Sequence, residues 1–182
     1  MKNNKTRFLT TTALMTAVLC ILGPLTIPIG PVPISLANFA ICVIAYILDT
    51  KRTVISVCLY ILLGLVGLPV FSGFGSGVGK LFGPTGGYII GYIPMAIIVA
   101  LFVGKFYKKH IACIVVMEAS TWLLYLIGTV WLAYSMGMTF SAALAAGVIP
   151  FIIEDFIKMV VAAFLGPVLR KRLSKFTSLE EA

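Results

Sequence analysis

Apolar residues along this chain fall into long runs, separated by short breaks that are either proline- and glycine-rich or basic. The runs cover residues 8–23, 34–49, 53–70, 87–104, 111–134 and 142–169. Each is near the roughly 20 residues a helix needs to cross a hydrocarbon core. The pattern predicts six membrane-spanning helices in one bundle with no second domain; five would follow if the short second run were only re-entrant. The first break, residues 23–33, holds four prolines and two glycines and no charge, so it is not regular helix. The break at 72–87 is glycine-dense and carries one cation, Lys80.

Composition agrees with this pattern. The chain has 182 residues, 60% hydrophobic and 11% charged, with a mean hydropathy of +1.10. Soluble domains carry about a quarter charged residues, so the lipid bilayer is the expected solvent. The first apolar run continues into a loop without a small-residue cleavage site, which argues against a removable signal. Cys20, Cys42, Cys58 and Cys113 lie in or beside apolar runs without metal-ligand spacing and read as small hydrophobes in helix packing. The single histidine, His110, lies in a basic break.

The net charge of +8 would suggest nucleic acid in a soluble protein. Here its distribution gives orientation instead, and no nucleic acid is expected. Under six spans, 12 of the 14 basic residues fall on one side, in the two termini and in the breaks at 51–52 and 105–109. The positive-inside rule puts that side, with both termini, in the cytoplasm. The proline-rich and glycine-rich breaks then share the outer face with the start of the sixth run, where they can close an outward-opening pocket.

The exceptions to this asymmetry are Lys80 and Lys158. Glu154, Asp155 and Lys158 lie inside the sixth apolar run, with Pro150 about a third of the way in from its outer end. Charges at such depth are costly and tend to mark functional sites. Asp155 and Lys158 are three apart, so a helix puts them on one face where they can pair. Two readings stand open, an ion pair that locks the bundle and the lining of a ligand or ion site. Lys80 reads as a solvated loop residue or an anchor for an anionic group.

The run Gly83-Pro-Thr-Gly-Gly-Tyr-Ile-Ile-Gly91 is not a nucleotide loop, since it lacks the Gly-Lys-Ser/Thr ending and a preceding strand. Its glycines, Gly86 among them, suit a tight turn or close approach of backbone to a ligand at a helix N-terminus. Tyr88 and Tyr92 share a face of the fourth helix, as pocket walls or interfacial belt residues. Trp122, Tyr125, Trp131 and Tyr134 read the same two ways, the outer pair by default as belt. Glu118 lies inside the fifth span, with Lys158 as one candidate partner. Ala13 and Ala17 form a small-xxx-small pattern that permits close helix approach. No ATPase signature, metal-ligand set or nucleophile–base pair is present, so neither an enzyme nor a cofactor is expected.

Five motifs occur in order: Val32-Pro-Ile-Ser-Leu36, Gly64-Leu-Val-Gly-Leu-Pro-Val-Phe-Ser-Gly73, Gly83-Pro-Thr-Gly-Gly-Tyr88, Tyr125-Leu-Ile-Gly-Thr-Val-Trp-Leu132 and Pro150-Phe through Asp155-Phe-Ile-Lys158. Together they resemble the BioY family over roughly residues 10–170: the biotin-binding membrane subunits, or S components, of energy-coupling-factor (ECF) transporters. The resemblance implies a six-helix S-component fold in a bacterial plasma membrane and capture of biotin from outside. It also implies partnership with a transmembrane T component and two cytoplasmic ATPases, which would hydrolyse the ATP. Ala13 and Ala17 would contact the T component. Two positions depart from the pattern. Ala37 and then Asn38 stand where Val-Pro-x-x-Leu-Gln is expected, and Glu154 stands where a small residue is usual. A biotin-like ligand, or Asn38 supplying the missing amide, accounts for the first.

On this resemblance Asp155 accepts from the ureido N–H groups of biotin and Lys158 keeps Asp155 ionised while donating to the ureido carbonyl. Lys80, or N–H groups of the glycine loop around Gly86, takes the carboxylate. Tyr88 and Tyr92 pack the rings, Asn38 adds a polar contact, and residues 24–33 form the outer lid. The alternatives are an S component for thiamine or riboflavin, and a membrane assembly protein whose buried charges only set helix register.

Overall fold

The computed structural model of the chain describes residues 2–28 and 31–177. Two residues of the proline-rich break, 29 and 30, lie outside the described residues, as do the side chains of Lys2 and Lys175. The main helices are α1 (Lys2–Leu22), α2 (Ala37–Ile47), α3 (Thr50–Leu65), α4 (Gly77–Leu81), α5 (Gly86–Phe106), α6 (His110–Met136), α7 (Phe140–Gly147) and α8 (Ile152–Thr177). Two short strands, β1 (Thr26–Ile27) and β2 (Ile34–Ser35), pair antiparallel in the first break, Thr26 opposite Ser35. Among the described residues, three helical stretches are by length and composition apolar enough to cross a membrane: Lys5–Leu22, Gly86–Phe106 and His110–Met136.

The bundle is organised around α2. Its sequence, ANFAICVIAYI, is apolar on every side, and a helix of that kind belongs in an interior. It packs on α5 and α8, with α1 and α3 completing the cage, while α5 and α6 form the most extensive pair. At 11 residues α2 is only about 16 Å long. The hairpin before it carries Ser35, whose hydroxyl donates to the Gly23 carbonyl (3.1 Å) and caps the Ala37 N–H (3.1 Å).

Basic residues gather at one end of the bundle. Asp49 caps α3 and pairs with Arg52, which reaches Thr11 of α1 (3.3 Å). Arg170, near the end of α8, donates to the Tyr46 carbonyl at the end of α2 (3.2 Å) and lies over the Tyr107 ring. A cation is favourable there because helix ends leave carbonyls unpaired and partly negative. The opposite end gathers the hairpin, the glycine segment and the α7–α8 junction. Phe71 pins the glycine segment to α3 by filling the space at Gly64 and meeting Tyr60 edge-on. Positive φ at Gly67, Gly73 and Gly77 turns the chain around it.

The sixth apolar run is not one helix. It breaks between α7 and α8, where Val148 leaves helical geometry (φ −131°, ψ −57°) and residues 149–151 form a 3-10 turn containing Pro150. Proline lacks the N–H that would continue the helix and disfavours helical backbone at the residue before it. Pro150 therefore sits at a helix start, and Glu154 and Asp155 fall in the first turn of α8, where the helix dipole favours carboxylates. A second proline, Pro167, lies inside α8 and removes the N–H that would pair with the Ala163 carbonyl. His110 supplies the missing donor from α6. Its Nδ1 lies 2.8 Å from that carbonyl and must carry the proton, since a carbonyl only accepts, and its ring stacks on Phe164. His110 is thus the first residue of α6 and a cross-helix clamp, where the sequence suggested only a basic break.

Candidate functional site

The first turn of α8 directs Asp155 and Lys158 toward the start of α2, and the two meet there as their spacing predicts (3.2 Å). Asp155 is 5% exposed and receives three donors. Asn38 donates to its Oδ1 (2.6 Å), Lys158 to the same oxygen, and the Tyr125 hydroxyl of α6 to Oδ2 (2.5 Å). Bonds to a charged acceptor in so dry a place are among the strongest in proteins. Lys158 also donates to the Ser35 carbonyl (2.5 Å) and ion-pairs with Glu154. One ammonium therefore serves two carboxylates. A carboxylate has about four acceptor positions, so Asp155 keeps capacity for a ligand donor. The cluster offers donors and acceptors side by side, suited to a neutral group bearing both N–H and C=O.

These groups line one side of a pocket. Val32, Pro33 and Phe151 close it apolarly, Tyr88, Ile89 and Tyr92 of α5 and Leu124 of α6 form the facing wall, and Thr85 and Gly147 lie at its edge. Tyr88 is fixed by packing its ring into the notch at Gly128 and by donating to the Gly147 carbonyl (2.9 Å). The pocket is small, about 60 Å³. A wider cavity of about 820 Å³ lies outside it, walled by the hairpin, Gly73, Phe74 and Lys80. Pro33, Ser72 and Glu154 line both chambers, and so stand at the threshold between them.

The structure brings Asp155, Lys158, Asn38, Tyr88 and Tyr92 together in the inner pocket. It places two other predicted residues elsewhere. Lys80 faces the outer cavity, with its aliphatic stem against Gly75. Gly86 does not line the pocket. A side chain there would collide with the Leu81 carbonyl and approach Trp131, so the glycine serves close packing. Glu118 is not paired with Lys158 and forms no ion pair among the described residues; its Oε1 has no hydrogen-bond partner among them. Ala13 and Ala17 are exposed in a stripe with Leu9 and Ile21 on the outer side of α1.

Sequence reasoning left Tyr125 as a pocket wall or a belt residue, and the structure places it in the pocket lining; it did not single out Ser35 or Thr85. A buried tyrosine hydroxyl needs a partner, and that of Tyr125 finds one in Asp155. Ser35 acts through its backbone carbonyl, which no residue pattern displays. Trp131, expected by default in the interfacial belt, donates to the Gly83 carbonyl (2.9 Å) and so ties the turn before α5.

Residues 1–175 match the BioY family. The chain is 36% identical to biotin transporter BioY2 of Lactococcus lactis subsp. cremoris over 174 residues, covering 96% of each chain. It is 36% identical to biotin transporter BioY of Thermotoga maritima, over 87% of this chain and 92% of that one. Among solved structures it superposes on the S-component for biotin from an ECF-type ABC transporter with a TM-score of 0.86. That pair is 31% identical, and the alignment covers 94% of each chain.

Proposed function

The chain belongs to the BioY family, and from that premise we propose that it is the biotin-binding uptake subunit of an ECF-type transporter. The observation that carries this reading is the buried Asp155 carboxylate with its three donors, set in a pocket walled by tyrosines. The ureido ring of biotin presents two N–H donors and one carbonyl. Asp155 accepts from the N–H groups, and Lys158, held by Ser35 and Glu154, donates to the carbonyl. Asn38 supplies the amide, while Tyr88 and Tyr92 pack the apolar rings, as small-ligand pockets usually do. Pro33, Ser72 and Glu154 line both the inner pocket and the wider cavity, so a bicyclic ligand passes this threshold on entry, with the hairpin as the outer lid.

Six spans account for the helices best: α1, α2 with its hairpin, α3, α5, α6, and α8 preceded by the half-length α7. The clustering of Arg52 and Arg170 at one end of the bundle supports cytoplasmic termini in a bacterial plasma membrane. The stripe of Leu9, Ala13, Ala17 and Ile21 is the face offered to a T component, which joins this subunit to two cytoplasmic ATPases. The test is to purify the protein in detergent and identify the co-purifying vitamin by mass spectrometry, then to titrate the Asp155→Asn protein. Biotin should co-purify and the variant should bind it more weakly. Thiamine or riboflavin in its place, or unchanged affinity, refutes the assignment.

A further inference from the structure

We infer that a cleft between the starts of α1 and α3, lined by Lys5, Phe8, Leu9 and Lys51, binds the headgroup of an anionic phospholipid. The inference does not depend on the vitamin; it rests on the basic end of the bundle facing the cytoplasm. The cleft holds about 420 Å³. Helices α1 and α3 pack against each other. Both begin at the basic end, because Arg52 in the first turn of α3 lies over the Phe8 ring and reaches Thr11 of α1. The positive ends of the two helices therefore point the same way, which favours an anion there.

The cations around the cleft are differently engaged. Arg52 is buried and pairs with Asp49, so it holds the two helices together and adds no net charge. Lys5 and Lys51 are exposed, and neither has an ion-pair partner among the described residues. A cleft lined by one sign of charge on apolar walls focuses its field on a counter-ion. Between the lysines lie Phe8 and Leu9, the latter 67% exposed. A free inorganic anion gains nothing from such a floor, whereas an amphiphile does. The floor continues along both helices. Leu9 and Ala13 follow Lys5 at a spacing of four, and Ile55, Leu59 and Leu62 follow Lys51 at four or three. Each lysine therefore heads an apolar stripe on its own face of the helix, and Leu59 and Leu62 are exposed. Charge at the head and apolar surface below match a phospholipid, with phosphate at the lysines and an acyl chain along the helices. The cytoplasmic leaflet carries the anionic surface, and basic clefts between membrane helices on that side suit its headgroups. Leu9 also belongs to the α1 stripe offered to the T component, so a lipid held here borders that contact.

The test is titration of the purified full-length protein with phosphatidylglycerol in mixed micelles, bound lipid being counted by native mass spectrometry. A cation near an anionic lipid surface contributes roughly 5-fold in affinity, so the pair should contribute about 30-fold. Phosphatidylcholine, which has no net charge, should bind the unaltered protein more weakly by that factor, a comparison that needs no variant. Lys5→Gln with Lys51→Gln should weaken phosphatidylglycerol equally. Lys5→Arg with Lys51→Arg keeps both charges and should bind it nearly as the unaltered protein does. Lys108→Gln with Lys109→Gln removes as much charge from the turn between α5 and α6 and should leave lipid affinity almost unchanged. Biotin titration of each variant, at the opposite end of the bundle, reports that it is folded. Equal binding of the two lipids, equal losses in the two glutamine variants, or loss in the arginine variant overturns the site. Glycerol phosphate bound as tightly as the whole lipid does the same. So does a Lys5→Gln/Lys51→Gln protein that keeps the lipid but no longer co-purifies with the T component, which makes the cleft a protein contact.

Discussion

Lys158 is held by two carboxylates of unequal burial, so removing their charges singly and then together should give effects that do not add. The Glu154 side chain is 26% exposed, that of Asp155 7% and that of Lys158 11%. Glu154→Gln removes the more solvated partner and should destabilise by about 0–1 kcal/mol, the scale of exposed pairs. Asp155→Asn keeps the shape. The new amide oxygen still accepts from Asn38 and Lys158, and the Tyr125 hydroxyl can rotate to accept from the amide nitrogen. What is lost is charge assistance, about 1.5–3 kcal/mol, with Glu154 still neutralising the ammonium. In the double variant Lys158 is left without a counter-ion in a nearly dry site, where an unpaired charge costs about 3–5 kcal/mol. The coupling should therefore be destabilising and on the order of 1–2 kcal/mol beyond the sum of the single effects. The assay is equilibrium unfolding of the purified, ligand-free protein and the three variants in one detergent. Additive losses would refute the shared-ammonium reasoning and reduce Glu154 to a surface charge.

Four further outcomes follow from the packing. Tyr125→Phe removes the donor to Asp155 Oδ2 and should cost about 1.5–3 kcal/mol of stability in the same unfolding assay; no loss there rejects that hydrogen bond. Gly128→Ala puts a methyl into the Tyr88 ring, an overpacking of about 1–3 kcal/mol. It should weaken biotin binding by displacing a pocket wall, and unchanged titrations would show that Tyr88 can move freely. His110→Phe keeps the stack on Phe164 but orphans the Ala163 carbonyl beside Pro167, lowering stability by about 1–3 kcal/mol; an unfolding midpoint equal to that of the unaltered protein would show that the clamp contributes nothing. Ala13→Leu with Ala17→Leu alters only the exposed side of α1, so it should abolish co-purification with the T component while biotin titrations stay unchanged. A complex recovered intact would place the contact elsewhere.

Much of the helical layout is legible in the runs, because each break is marked by residues with a local effect: Pro150 lacks an N–H, Gly67 and Gly73 adopt positive φ, and basic residues stay out of the core. Even so, the hydropathy of the sixth run hides the α7–α8 junction, since Ile149, Pro150 and Phe151 are as apolar as a helix interior. The pairing of Asp155 with Lys158 is legible for the same local reason, three residues being one turn of a helix. Glu118 shows where that reasoning stops. It and Lys158 lie on different helices, and only packing shows that they are not paired.

The sequence by itself determined that this chain belongs in a membrane, which stretches are apolar helix, which end collects the cations, and that Asp155 and Lys158 share a face. All of these depend on hydrophobicity or on the fixed period of a single helix. Only the tertiary structure decided what surrounds that pair. Asn38 lies 117 residues from Asp155 and Tyr125 lies 30 away, and the Ser35 carbonyl is placed by a two-strand hairpin. Likewise, only packing leaves Lys80 in the outer cavity and outside the inner pocket. Contacts between elements depend on how the helices cross, and side-chain spacing along one helix does not encode that.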